Sequence, residues 1–429
     1  MKHAHILTLL ITASSLAAQA QDIKEQEVKR IITTLAADDM QGRKTFEPGI
    51  EKAAQFLEKE FTKAGLQPLP GATNFRQAFH RFNTTPGPHQ VHVGNSAISA
   101  ERVIVLGVAP AIEWNQNSDV DVQTLPASTQ FYDYLHKLRD VKKNTLVWVD
   151  TAHTEDFNKY YENIQERGGK NLDSMPSVVL VLKPAADADL KTWDVKASQQ
   201  VTPLYLSNIA GMIKGKTKPD EYVIFSGHYD HLGIVKPVGT DSIANGADDD
   251  ASGVTAVIML AKYYKQHPPA RSLIFVAFTA EEMGGYGSRY FSKRQDPDKV
   301  VAMFNIEMIG KESKFGKNSA FITGYERSDF GKILEKNLEH SIFHFYPDPY
   351  PEQDLFFRSD NATLAKQGVP AHTISTDQID SDKLYHSVGD EVNTLDIKNI
   401  TSTIQAIATS ARSIVAGTDT PTRITELKR

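Results

Sequence analysis

Histidine and carboxylate residues recur where apolar runs stop in the second half of this 429-residue chain. YVIFSGHYDHLG (222–233) puts His228 and Asp230 at the end of one such run. GADDDASG (246–253) sets Asp248, Asp249 and Asp250 between glycines, just before a helical pattern. RSLIFVAFTAEEMGGYGS (271–288) ends a second run in Glu281-Glu282. FNIEMIG (304–310) supplies Glu307, and YHSVGDEVNTLD (385–396) supplies Tyr385 and His386. A catalytic divalent metal takes imidazole nitrogen and carboxylate oxygen and keeps a position open. Two metals about 3.5–4 Å apart need one carboxylate between them and ligands on either side. Taken singly, each group has an ordinary reading. A histidine at a strand end is commonly just hydrogen-bonded, an acidic run caps a helix, and an EE pair favours a helix dipole. Together they sit at successive element ends, where open α/β sheets place their sites, and the chemistry they fit is metal-dependent hydrolysis.

The elements that must position these groups are readable from periodicity. Residues 222–226, 272–278 and 301–306 are near-continuous apolar runs, the pattern of strands covered on both faces. Residues 254–264 read as a mostly apolar helix, 326–340 as an amphipathic one, and 370–375 as a further strand. Ile400, Ile404, Ile407 and Ile414 keep one apolar stripe on a closing helix. Near the start, 23–36 and 50–64 carry helical spacing, the second stopped by Gly65. Strands alternating with helices predict a three-layer αβα fold on a mainly parallel mixed sheet. Short β-branched runs at 102–110, 144–150 and 177–183, with a helix over 155–167, predict a strand-rich inserted domain or lid over about 85–200. The remainder, 21–84 and 201–429, forms the main domain. Arg43, in the turn-rich segment 40–49, reads as a structural salt link.

Composition fits a globular protein: 40% hydrophobic and 23% charged residues, with a net charge of −6. No basic run is present, so nucleic acid and anionic membrane are not expected partners. Residues 1–20 read as a secretory signal: Lys2, an apolar core over 6–16, and the small-x-small site Ala18-Gln19-Ala20. No later stretch is apolar for 18 residues, so an exported protein, periplasmic or secreted and without a membrane anchor, is expected. The absence of cysteine excludes disulfides and leaves His, Asp and Glu as metal ligands.

Five of these motifs, in order and spacing, resemble the M28 family of two-zinc exopeptidases, strongly over 205–429 and loosely over 23–70. The resemblance implies two zinc ions per subunit, one held by His228, Asp249 and Glu307, the other by Asp249, Glu282 and His386. Asp249 would be the bridge, with a cis bond to Asp250, while Asp248 and Asp250 give support. It further implies Glu281 as general base, Tyr385 as a hydroxyl for the tetrahedral intermediate, and Asp230 as the partner that holds the His228 tautomer. Two positions depart from the family's pattern. Glu307 stands where Asp is usual; it is one methylene longer and is expected still to bind metal. Asn361 stands where many relatives carry His. Arg358, two residues before Asp360, is a candidate for gripping a substrate carbonyl or carboxylate. The implied activity is that of an aminopeptidase acting on peptides with a free N-terminus. A carboxypeptidase or dipeptidase of the family, a single-zinc glutaminyl-cyclase-like transferase and a non-catalytic relative are the alternatives. The complete ligand set and the base disfavour the last two.

Overall fold

Val223, Ile224 and Phe225 are all fully buried because helices cover both faces of their strand. They lie near the middle of a sheet in the computed structural model, which describes residues 23–138, 141–172, 176–185, 187–425 and 427. The expected signal segment, 1–20, lies outside the described residues. The chain forms two compact units, one made of residues up to 78 together with those from 206 on, the other of 79–205.

In the first unit the strands that carry the site are β1 (Trp193–Ile213, by its C-terminal part), β2 (Lys218–His228), β3 (Arg271–Phe278), β4 (Val300–Ile306), β5 (Ser319–Ile322), β6 (His344–Pro347) and β7 (Ala371–Ser375). Their lateral order is β6-β5-β7-β4-β2-β3-β1. The central strands β3, β2, β4 and β7 pair in parallel, whereas β1 runs antiparallel to β3 and β5 to β7. The expected mixed, mainly parallel sheet is what forms.

Helices α1 (Glu25–Leu35), α2 (Pro48–Lys63), α3 (Gly253–Gln266), α4 (Phe330–Asn337) and α5 (Ile397–Ser410) cover one face. There Val28, Leu57, Val257 and Ile404 share a core with Val223, Phe225 and Phe275. On the other face Ile224, Ile274 and Val276 pack with Phe291, Phe356 and Leu364. The alternation of neighbouring strand residues between these cores makes the three layers. The helix expected over 326–340 is shorter than its pattern. Gly324 is left-handed and Ser328 extended, so a single turn at Tyr325–Arg327 is cut off from α4.

The second unit holds a four-stranded sheet in the order Val103–Leu106, Val178–Leu182, Thr145–Val149, Asp121–Leu125. Its strands bury Leu146, Trp148 and Val181 on one face, and Val147, Val149 and Leu180 on the other, beside Phe157 of the helix Thr154–Arg167. Boundaries expected near 85 and 200 fall inside two unbroken strands, Arg76–Val93 and β1. No turn or linker marks the change of unit. No described helix is long and apolar enough to cross a membrane.

Candidate metal centre

The parallel strands deliver the site at their carboxyl ends. His228 closes β2, Glu307 follows β4 directly, and Glu281 and Glu282 lie in the turn after β3. Asp249 sits in the wide turn Ala247–Ser252 that opens α3, and its bond to Asp250 is cis. His386 and Tyr385 come from the loop that follows β7.

These residues converge on Asp249. One of its oxygens is 3.1 Å from Nε2 of His228, and the other is 3.2 Å from Nε2 of His386. The same His386 nitrogen is 3.2 Å from Oε2 of Glu282. Donor atoms of His228, Asp249 and Glu307 lie within 4.8 Å of one another, as do those of His231, Asp249 and Glu282. Oε2 of Glu307 is buried without a hydrogen-bond partner among the described residues. Carboxylates and imidazoles around one shared carboxylate, with His228 and His231 buried and His386 exposed, are a donor set that fits divalent zinc.

The electrostatics point the same way. Burial, joined by Asp249 and Asp360, pushes the Glu307 carboxyl up to about 7. Burial with Glu307 and Asp360 raises Glu281 well above the carboxylate range. Burial also works against charge on Asp249, yet His231, His228 and His386 hold it well below the ordinary value. His386 is raised to about 10 by its hydrogen bonds to Asp249 and Glu282. Carboxylates crowded this closely are stabilised by added positive charge.

A second layer of groups fixes the loops. Asp390 accepts the backbone N–H groups of Asp248 (2.9 Å) and Asp249 (3.0 Å). Asp250 accepts those of His228 (3.0 Å), Gly253 (3.0 Å) and Met308 (3.1 Å), tying three loops together. Asp248 accepts Gly310 N–H at 2.7 Å. Both flanking aspartates thus accept backbone N–H groups of neighbouring loops. Asp230 meets both His228 and the turn after β3. Its carboxylate stands 3.8 Å from Nδ1 of His228, while its backbone carbonyl is 3.1 Å from that nitrogen. The carboxylate instead accepts the N–H groups of Glu281 (3.0 Å) and Glu282 (3.4 Å), because the turn after β3 folds over it.

Among the described residues Arg43 makes no salt link of the kind expected. It is fully buried, and its guanidinium donates to the carbonyls of Leu35 (2.9 Å), Tyr229 (2.9 Å), Asn245 (2.5 Å) and Gly246 (2.9 Å), with Asp249 at 3.4 Å. A Cβ on the preceding Gly42, left-handed at φ 62°, would lie 2.3 Å from the Ala244 carbonyl oxygen. Only glycine lets this turn approach so closely. Asn361 is buried, donating to the carbonyls of Phe356 and Ala371 and accepting from Thr373. Arg358 is exposed, lining a pocket with Glu307 and Tyr385. The Tyr385 ring stacks on His386, with centroids 3.9 Å apart.

His231 was absent from the expected set. It is buried, with Nδ1 2.9 Å from Oε1 of Glu282 and 3.8 Å from Asp249. The signal was its place in the same GHYDHLG string as His228.

Comparison with known proteins agrees with this geometry. Residues 208–411 match peptidase family M28. A probable zinc metalloprotease of Pyricularia oryzae is 34% identical over 119 residues, which are 27% of this chain and 24% of that protein. One from Pyrenophora tritici-repentis is 33% identical over 112 residues, 26% of each chain. The matched stretch thus spans about a quarter of these curated relatives. Among solved structures, an aminopeptidase from Aneurinibacillus sp. strain AM-1 superposes with a TM-score of 0.54 at 16% identity, covering 96% of this chain and 97% of that one. A zinc aminopeptidase from Bacillus subtilis gives 0.54 at 16% identity, covering 92% and 95%. At such identity the likeness is one of fold. Over residues 208–411, a little under half of its length, this chain is similar to peptidase family M28.

Proposed function

We propose that the protein is an exported zinc aminopeptidase that holds two metal ions and releases single residues from the free N-terminus of peptides. The observation that carries this reading is Asp249 facing His228 on one side and His386 on the other. His228, Asp249 and Glu307 would hold one ion, and Asp249, Glu282 and His386 the other. Bound there, zinc supplies an acidified water and polarises the scissile carbonyl. The rest falls to the chain's own groups. Glu281, whose carboxyl is raised above the ordinary range by burial, takes a proton from the attacking water and passes it to the leaving amine. The hydroxyl of Tyr385 is the donor for the developing oxyanion. Glu307 and Asp360 both raise the Glu281 carboxyl, and Asp360 raises that of Glu307, so acidic groups crowd this side of the site. That favours a substrate presenting an α-ammonium over one presenting a carboxylate.

A panel of peptides with free and blocked N-termini, read by mass spectrometry with and without chelator, tests the reading. Stepwise loss of N-terminal residues is expected, abolished by chelator and by Glu281→Gln. Trimming of blocked peptides from the C-terminus would make it a carboxypeptidase instead, and a 17-Da loss from N-terminal glutamine would make it a cyclase.

A further inference from the structure

The pocket beside Glu307 and Tyr385 has apolar walls from Met308, Phe321, Leu355 and Ile379. Besides Glu307, which belongs to the metal centre, its acidic lining group is Asp377. We propose that this pocket receives the side chain of the substrate's N-terminal residue and selects a long aliphatic stem ending in a cation, lysine or arginine, with Asp377 as the carboxylate that meets it. The inference rests on the aminopeptidase reading, since it places the first residue of the substrate in this pocket.

Three observations carry it. First, Asp377 is buried to 3% exposure, and its Oδ1 has no hydrogen-bond partner among the described residues. A buried polar atom left without a partner is costly unless a ligand completes it. Second, the acid there is under-compensated. Oxygens of Asp377, Asp248 and Asp382 lie within 4.8 Å of one another. The ammonium of Lys311 is drawn to the other two, 2.5 Å from Asp382 and 3.4 Å from Asp248. Burial, Asp248 and an Asp382 carboxyl close enough to share a hydrogen bond lift the Asp377 carboxyl to about 8, against the weaker pull of Lys311, a pressure that an incoming cation would relieve. Third, two of the pocket's hydroxyls are already engaged as donors. Ser375 donates to the Met308 carbonyl (3.1 Å) and Thr373 to Asn361 (2.9 Å). Apolar walls with a buried acid match an apolar stem with a charged tip better than a plain hydrocarbon. Arg358, the cationic lining group, is exposed and donates to Gln353 at 3.2 Å.

The experiment compares zinc-loaded wild-type enzyme on otherwise identical peptides beginning with lysine, arginine, norleucine or Nε-acetyl-lysine. Norleucine keeps the lysine stem without the charge, and acetylation keeps its length. The expected result is a kcat/KM for lysine or arginine at least about tenfold above both neutral analogues, the scale of one desolvated charge pair. Asp377→Asn should bring the lysine-to-norleucine ratio of kcat/KM down from at least about tenfold to about one. The wild-type series needs no variant, so a poorly folding Asp377→Asn protein leaves the test intact. Norleucine cleaved as well as lysine overturns the assignment of the pocket while leaving the aminopeptidase reading standing. Release of none of the four residues overturns both.

Discussion

Nδ1 of the buried His231 lies 2.9 Å from Oε1 of Glu282, the carboxylate assigned to the second metal. An imidazole in that position orients the carboxylate and tunes how tightly it binds. His231→Ala should weaken zinc affinity by about 10- to 100-fold, the range for partners of metal ligands. Competition with a chromogenic chelator measures it, and turnover at saturating zinc should recover most of the loss. Unchanged affinity would remove His231 from the site.

The shared position of Asp249 leads to a stoichiometric prediction. Asp249→Asn should lose both metals, whereas Glu307→Gln should lose one and keep the ion served by Asp249, Glu282 and His386. Elemental analysis of purified protein separates these outcomes. Two metals retained by Asp249→Asn would exclude it as the bridge.

Arg43 binds segments distant in sequence through their carbonyl oxygens, so its loss strands several buried acceptors together. Arg43→Met is expected to cost more than about 3 kcal/mol in urea unfolding. Arg43→Lys should restore little, because one ammonium does not span the arc that a planar guanidinium covers. A cost near zero for either substitution would show that water replaces the guanidinium.

His372 gives a pH dependence separate from the metals. It is fully buried, stacked on Phe330, with Ser328 at 2.7 Å and the Thr323 carbonyl at 2.9 Å. Burial lowers its pKa to about 4, against the opposing hydrogen bond to Thr323. The unfolded chain, near 6.5, therefore binds the proton first. This contribution is present above pH 6.5 and is lost as pH falls toward 4, by roughly 3 kcal/mol. Denaturant unfolding of the metal-free protein at pH 7, 5.5 and 4.5 should show a steeper decline for wild type than for His372→Gln. Parallel declines would refute it.

Residue type and spacing disclosed much of this architecture, for reasons visible in particular elements. His228, Asp249 and Glu307 were legible because each borders a buried run or a glycine, and such boundaries are local in the chain. The support around them was not. Arg43 bonds to carbonyls, which every residue has, so nothing in the string 40–49 marks partners some two hundred positions away. Asp230 lies near enough to His228 to imply a tautomer-holding role, but the turn after β3 claims its carboxylate. Asp377 looks like any polar loop residue until the fold buries it. The division into two units left no mark because the strands through 78 and 206 do not pause there.

At that division the Phe75 carbonyl accepts the Ala210 N–H at 2.8 Å, and the Asn208 side chain reaches Gln77 at 2.9 Å. The chain therefore departs and returns at neighbouring points of a ladder that the larger unit already closes by itself. A cut at such a place needs only a tight turn to seal it, a small entropic cost beside the 127 residues between 79 and 205. The intervening segment behaves as a cassette: evolution or an engineer can exchange it, enlarge it or remove it without rethreading the strands that present His228 and Glu307.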